Sequence, residues 1–278
     1  MRLSVLLLVF TVTCLPSHAL EQWETLTLNF RGPQTSEQAR VNPFTNYRLD
    51  VNFVHQKKAI KVRGYFAADG RAAETSARAG NQWNARFTPD LLGLWRYKAT
   101  LHYGEDIAIS DEPGELIPLA NATGEFEVTP NTQAEPNFRA LGRLGVDAGY
   151  FRFSSSGNYW LKGGTNSPEN LLAYEGFDDT YRIAAEARDG EAAPPTDIHT
   201  FTAHLKDWQE GDPSWQDGRG KALIGGFNYL ASQGMNAAYF LTLNLLGDGK
   251  DVWPYASPDN FTRFDCSKLD QWDLVSTC

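Results

Sequence analysis

Cysteine is scarce in this chain, with three in 278 residues. Cys14 lies in the amino-terminal apolar stretch, and Cys266 and Cys278 lie close to the carboxyl end. The last two fall on one expected helix, about 18 Å apart, which is too far for a disulfide. The fold must therefore rest on packing. Histidine is scarce as well, and the five present (His18, His55, His102, His199, His204) show no metal spacing. His199 and His204 are five apart and lack a third ligand nearby. No glycine-rich phosphate loop and no Gly-x-Gly-x-x-Gly follows a strand, and no Gly-x-Ser-x-Gly elbow appears. No cofactor or metal is expected from these residues. Positive charge is also in deficit. The 25 Lys and Arg face 34 Asp and Glu, for a net charge of -9, which argues against nucleic acid or an anionic membrane as partner.

Beyond the amino terminus no apolar run is long enough to cross a bilayer. The start, MRLSVLLLVFTVTCLPSHALEQ, has Arg2, then an apolar core from Leu3 to Leu15, then Pro16. Ser17 and Ala19 give small residues at the -3 and -1 positions of a cleavage site. A secretory signal over residues 1–19, cut near Ala19, is expected, with a secreted or periplasmic product and no membrane partner after cleavage. Cys14 raises a lipid-attached alternative, which Thr11-Val12-Thr13 before it fit poorly.

What is present is the composition of a folded chain. Hydrophobic residues make up 42% and aromatics 13%, too much for disorder. The length suggests two domains, at about 100–200 residues each. From Glu21 to about Pro130 the apolar period is two. Leu26, Leu28 and Phe30 share one face, as do Leu49, Val51 and Phe53, and the pattern recurs at Trp83, Ala85, Phe87 and at Trp95, Tyr97, Ala99, Leu101. Turn clusters such as RGP, ADG, TPD and DEPG separate these runs. Short alternating strands with such punctuation imply an antiparallel β-sandwich of seven or eight strands. Trp95 and Tyr97 should point inward as core, and Gly93 should take an unusual dihedral in the preceding turn.

Two stretches carry a resemblance. Asn42-Pro43-Phe44, then a strand, then Gly64-Tyr65-Phe66-Ala67-Ala68-Asp69-Gly70, then Arg86-Phe87-x-Pro89-Asp90-x-x-Gly93-x-Trp95-x-Tyr97 resembles domain of unknown function 5060. That family typically precedes a glycoside hydrolase barrel in secreted bacterial proteins. The resemblance covers about Gln22 to Pro130 and implies context rather than chemistry. It places an immunoglobulin-like sandwich at residues 20–130 and a linker at 131–144.

After TPNTQAEPN the period changes. A short hairpin leads into a strand at Tyr159 to Lys162. GRGKALIGGFNYLASQG reads as a helix, with Leu223, Phe227 and Leu230 on one face and Gly234 at the stop. MNAAYFLTLNLLG then reads as a strand from Ala237 to Leu243, buried on both sides as in a parallel sheet. A helix follows from Ser267, capped with Asp270. Strand, helix, strand, helix means α/β with crossover connections. LKGGTNSPENLLAYEGFDDTY, GMNAAYFLTLNLLGDG, VWPY and FDCSKLDQWD are similar to the opening of the barrel in those glycoside hydrolases. The fold class is thus an all-β sandwich followed by an incomplete (β/α)8 barrel at residues 145–278. A full barrel takes about 250 residues, so a carboxyl-terminally truncated chain is expected. Its helix faces around Leu223, Phe227 and Trp272 should then be partly wet.

In barrels the chemistry sits on loops after the strands. Here those loops are rich in carboxylates, amides and aromatics, the groups that recognise sugar. Asn166 and Asn244 each follow a strand, and Glu169, Asp248 and Trp253 stand on the same loops, so these five are the candidate substrate contacts. Glycoside hydrolysis needs two carboxyl groups. The resemblance implies an acid/base after strand four and a nucleophile after strand seven, beyond the two units read here. Glu169 and Asp248 are an alternative pair. The expected partner is a polysaccharide. A non-catalytic carbohydrate-binding or adhesion role for the sandwich is the alternative function.

Overall fold

The computed structural model describes residues 19–56, 58–166, 170–181, 198–245 and 251–277, and of Thr165 and Asn166 the backbone. The first half contains β1 (Leu20–Glu21), β2 (Leu26–Ser36), β3 (Tyr47–His55), β4 (Lys58–Arg63), β5 (Tyr65–Phe66), the single-turn helix α1 (Ala72–Thr75), β6 (Ala79–Phe87), β7 (Gly93–Tyr103), β8 (Glu115–Ile117) and β9 (Thr123–Thr129). One sheet runs β1-β9-β7-β3-β4 with β8 on the end of β7, and the other runs β2-β6-β5. Pairing is antiparallel except for β1 beside β9.

The two sheets share one core. Phe30, Trp83 and Phe87 come from one, and Leu49, Phe53, Trp95 and Leu101 from the other. The rings of Phe53 and Phe87 stack across the gap, 4.0 Å apart. Trp95 is buried, its indole N–H donating to Leu91 O at 2.9 Å, and Gly93 has φ +103° as its turn requires. The period-two pattern therefore identified the inward faces. It did not anticipate that the first half of the polar face of β3, at Arg48 and Asp50, is also covered while Asn52 and Val54 stay exposed. Arg48 and Asp50 are buried. The Arg48 guanidinium donates to the carbonyls of Ile107 and Ser110 and pairs with Asp50 at 3.2 Å. The segment after β7 supplies the backbone oxygens that make this burial tolerable.

The second half is a mixed region: α2 (Phe138–Leu141), β10 (Leu144–Asp147), β11 (Tyr150–Phe153), β12 (Gly164–Asn166), α3 (Lys221–Ser232), β13 (Ala237–Tyr239) and α4 (Cys266–Ser276). β10 and β11 form a hairpin around Ala148-Gly149, both at positive φ. β12 and β13 are parallel neighbours, with Asn166 opposite Tyr239, and α3 lies between them in the chain. No barrel is present among the described residues.

Three boundaries differ from the sequence reading. The first parallel strand is Gly164–Asn166, not Tyr159–Lys162. Tyr159 instead bridges to Arg152, and the Asn236 side chain holds the backbone at Gly163 N and Leu161 O, so an amide replaces a ladder there. Gly164 is forced by contact, since a Cβ would lie 1.8 Å from Ala237 O. The second strand stops at Tyr239, before Leu243. The last helix is capped by Asp265, whose carboxylate accepts from Lys268 N at 2.9 Å, and not by Ser267. Asp270 faces outward from the helix and accepts from Ala73 N at 2.8 Å.

The helix faces expected to be wet are largely dry. Leu223 and Trp272 are buried with Tyr174, Phe177 and Trp215 from the long loop. Trp215 stacks on Phe177 at 5.3 Å and donates to Gly176 O at 2.7 Å. The loop thus supplies its own cover for α3 and α4. Helix α4 also joins the two halves: Cys266 belongs to the sheet core, and Trp272 and Val275 belong to the second core.

Candidate functional site

In open and closed parallel sheets alike, ligands meet the carboxyl ends of the strands. Asn166 is the last residue of β12, level with Tyr239 at the end of β13. Asn244 lies five residues past β13. Its backbone exchanges two hydrogen bonds with Val252, each 2.8 Å, as an isolated antiparallel bridge. Glu169 and Asp248 fall outside the described residues. Beside this bridge Asp251, Val252 and Trp253 are all buried.

Trp253 is 2% exposed. The edge of Tyr181 meets its ring at 4.9 Å, and the Lys268 ammonium sits over it at 4.5 Å. Lys268 is itself buried. Its Nζ donates to Asp179 O at 3.1 Å and lies 3.9 Å from the Asp265 carboxylate. Burial pushes the Lys268 pKa down, with Asp265 opposing, and pushes the Asp265 pKa up, with Lys268 opposing. The ring therefore rests on a fixed buried cation, a cation–π contact in a dry setting.

Next to this lies Asp178. Burial alone would raise its pKa, but hydrogen bonds from Ser76, Gln216, Ser267 and Arg219 outweigh it and hold it below the usual range. Ser76 Oγ is at 2.7 Å, Gln216 Nε2 at 3.0 Å and Arg219 Nη1 at 2.8 Å. A carboxylate so saturated is a structural tie between α1 and the loop, and a poor proton donor. Glu37, at the end of β2, is different. It is 1% exposed and accepts from Cys266 N at 2.7 Å. Burial raises its pKa to about 7, with the Cys266 amide opposing. The Cys266 thiol is free and buried, and burial drives its pKa up. A buried thiol held in its protonated form is a poor nucleophile.

Sequence reasoning missed Glu37, Asp265 and Lys268. Asp265 carried a usable signal, since Asp before Cys-Ser-Lys-Leu is itself an N-cap pattern. Glu37 and Lys268 carried none, because Glu37 is buried where the first half meets Cys266 and Lys268 is buried against Asp179 and Trp253 from distant loops. Among the described residues no group of three or more His, Cys, Asp or Glu is placed to hold a metal ion.

Comparison with known proteins fits this architecture. Residues 19–102 match the family model for DUF5060, a domain of unknown function. No curated protein sequence matches the chain. Among solved structures, the crystal structure of a "putative glycoside hydrolase" from Bacteroides vulgatus is similar at a TM-score of 0.50 and 16% identity, over 94% of this chain. The chain spans 40% of the length of that structure. At this identity the likeness is one of fold: a sheet domain followed by a mixed α/β region.

Proposed function

We propose that this chain is the amino-terminal portion of a secreted glycoside hydrolase acting on polysaccharide. It would carry an immunoglobulin-like sandwich at residues 20–130, a linker, and from residue 145 the first β/α units of a (β/α)8 domain. The observation that carries the reading is the extent of the fold likeness, 94% of this chain on 40% of the longer Bacteroides vulgatus structure. The parallel β12–α3–β13 unit supports it from within, as does the amino-terminal segment, which has the composition of a secretory signal cut near Ala19.

In this reading Asn166 and Asn244 contact sugar hydroxyls at the carboxyl end of the parallel pair, with Glu169 and Asp248 on the same loops. Trp253, expected from the sequence as a sugar contact, is buried between Tyr181 and Lys268 and in this structure backs the loop without facing a ligand. The hydrolytic step needs an acid/base and a nucleophile or base, about 5–5.5 Å apart for retention and farther for inversion. The family resemblance implies those carboxylates after the fourth and seventh strands of a full barrel. The 278-residue chain should therefore bind sugar without turning it over, because rate depends on groups that act in the transition state. The test is an assay of the purified chain on a panel of polysaccharides and aryl glycosides. No turnover above buffer is expected. Turnover abolished by Glu169→Gln or Asp248→Asn would overturn the proposal and move the active site into these loops.

A further inference from the structure

The β10–β11 hairpin sorts its residues by face. Residues opposite each other in an antiparallel pair share a face, and the register sets Leu144 against Phe153 and Val146 against Phe151. Trp160 extends this face. Its backbone N–H donates to Phe151 O at 2.9 Å, and its ring meets that of Phe151 at 5.6 Å. Phe138 joins at Phe153, with ring centres 6.1 Å apart. The other face holds the polar groups: Arg152 pairs with Asp147 at 2.8 Å and lies 5.5 Å over the Tyr159 ring.

The apolar face meets water. Val146 is 74% exposed, Phe138 51% and Phe151 49%. A two-stranded hairpin is at best marginally stable in water and needs further strands or a helix on its apolar side. The parallel pair that follows has the same deficit. β12 and β13 form a two-stranded sheet, so each has a free edge among the described residues, and Ala238 and Tyr239 are exposed. Parallel strands are otherwise covered on both faces. Only Leu161 to Gly163 separate Trp160 from β12. The hairpin therefore adjoins the amino end of β12, opposite the end that carries Asn166, and a strand added in parallel to that pair would begin on the hairpin side.

Both features call for the same cover, further apolar strands. Sugar fits poorly there. Phe151 and Trp160 meet edge to face at 77° and so offer no flat ring pair for a sugar chain, and Leu144 and Val146 offer no hydrogen bond. The fold has a source of such strands, since the chain matches 40% of the Bacteroides vulgatus structure and more than half of that molecule lies beyond the likeness. We propose that the face of Leu144, Val146, Phe151 and Trp160 is an interaction surface for polypeptide of the same protein that follows α4, which packs apolar strand ends on it and pairs with the free edges of β12 and β13. This rests on the reading of the chain as the amino-terminal portion of a longer protein. The hairpin is then the floor of the completed sheet, at the end away from sugar.

The test compares the 278-residue chain with the product of the reading frame continued past Cys278, each carrying Val146→Cys. Maleimide labelling at residue 146 is followed by peptide mass spectrometry, and sedimentation gives the state of the short chain. Labelling should be fast in the short chain, which should be monomeric, and at least about tenfold slower in the longer product. Should Val146→Cys not fold, hydroxyl-radical footprinting of Phe151 and Trp160 in the unmodified chains gives the same comparison. Equal labelling of the two forms would overturn the proposal, as would a discrete dimer of the short chain that protects residue 146 and so assigns the face to a second copy. Sugar turnover by the longer product with residue 146 still reactive would overturn this proposal alone. A frame that encodes nothing beyond Cys278 would overturn it together with the reading it rests on.

Discussion

Replacing Asp265 with alanine should destabilise the folded chain by roughly 4–6 kcal/mol, the largest loss expected from a single substitution outside the aromatic cores. Two effects add. The Asp265 side chain caps α4 through Lys268 N and accepts from Ser267 Oγ, and losing a cap costs about 1 kcal/mol. The larger part is the buried Lys268 ammonium, 1% exposed at its side chain, left with Asp179 O and the Trp253 face alone. Removing one partner of a buried pair costs about 3–5 kcal/mol. Because α4 touches both cores, the loss should appear as one cooperative transition shifted to lower urea. The double variant Asp265→Asn with Lys268→Met keeps a capping side chain and removes the charge, and should return to within about 2 kcal/mol of the parent. A single Asp265→Ala variant within about 1 kcal/mol of the parent would contradict the assignment of this pair.

Glu37→Gln should change how stability depends on pH. The folded-state pKa of Glu37 is raised from 4.5 to about 7. Between those values the folded chain binds more protons than the unfolded one, so stability falls as pH rises through the window. The slope contributed by this group is at most about 1.4 kcal/mol per pH unit. Asp265, Asp270 and Asp273 are raised as well, by burial first, and add slope of the same sign. Asp178 is lowered and acts in the opposite sense. The difference between parent and Glu37→Gln isolates the one group. The glutamine oxygen can still accept from Cys266 N. The variant should therefore be near the parent at pH 4 and more stable at pH 8, by on the order of 2 kcal/mol. Parallel stability curves from pH 4 to 8 would show that Glu37 ionises normally.

The sheet faces were legible because a period of two leaves no ambiguity where one side is apolar. Phe30, Phe53, Trp83 and Trp95 are all buried as the alternation requires. The α3 helix was legible from Leu223, Phe227 and Leu230, and from the glycine after it. What the sequence could not display was anything that depends on segments distant in the chain meeting. Arg48 and Asp50 look like solvent-facing residues until Ile107 and Ser110 close over them. Asp270 looks like a capping residue until Ala73 takes it. The parallel strands were misplaced by a few residues because a long apolar run does not mark its own ends, and Asn236 sets one of them from across the pair. Of the candidate site, Asn166 is the last residue of β12 and Asn244 lies five residues past β13, where the sequence suggested that each directly follows a strand; the burial of Trp253 over Lys268 was not legible, because no local pattern distinguishes a covered tryptophan from an open one.

The central claim is that sugar meets this chain at the carboxyl ends of β12 and β13. The most direct measurement is a titration of the isotopically labelled chain with oligosaccharides from a panel of polysaccharides, followed at the backbone amides of Asn166 and Asn244. The account predicts that at least one oligosaccharide shifts both resonances together, along with those of residues 251–253, and leaves the sheet domain unmoved. Shifts confined to residues 20–130, with Asn166 and Asn244 unchanged, would contradict it and make the sandwich the sugar-binding part.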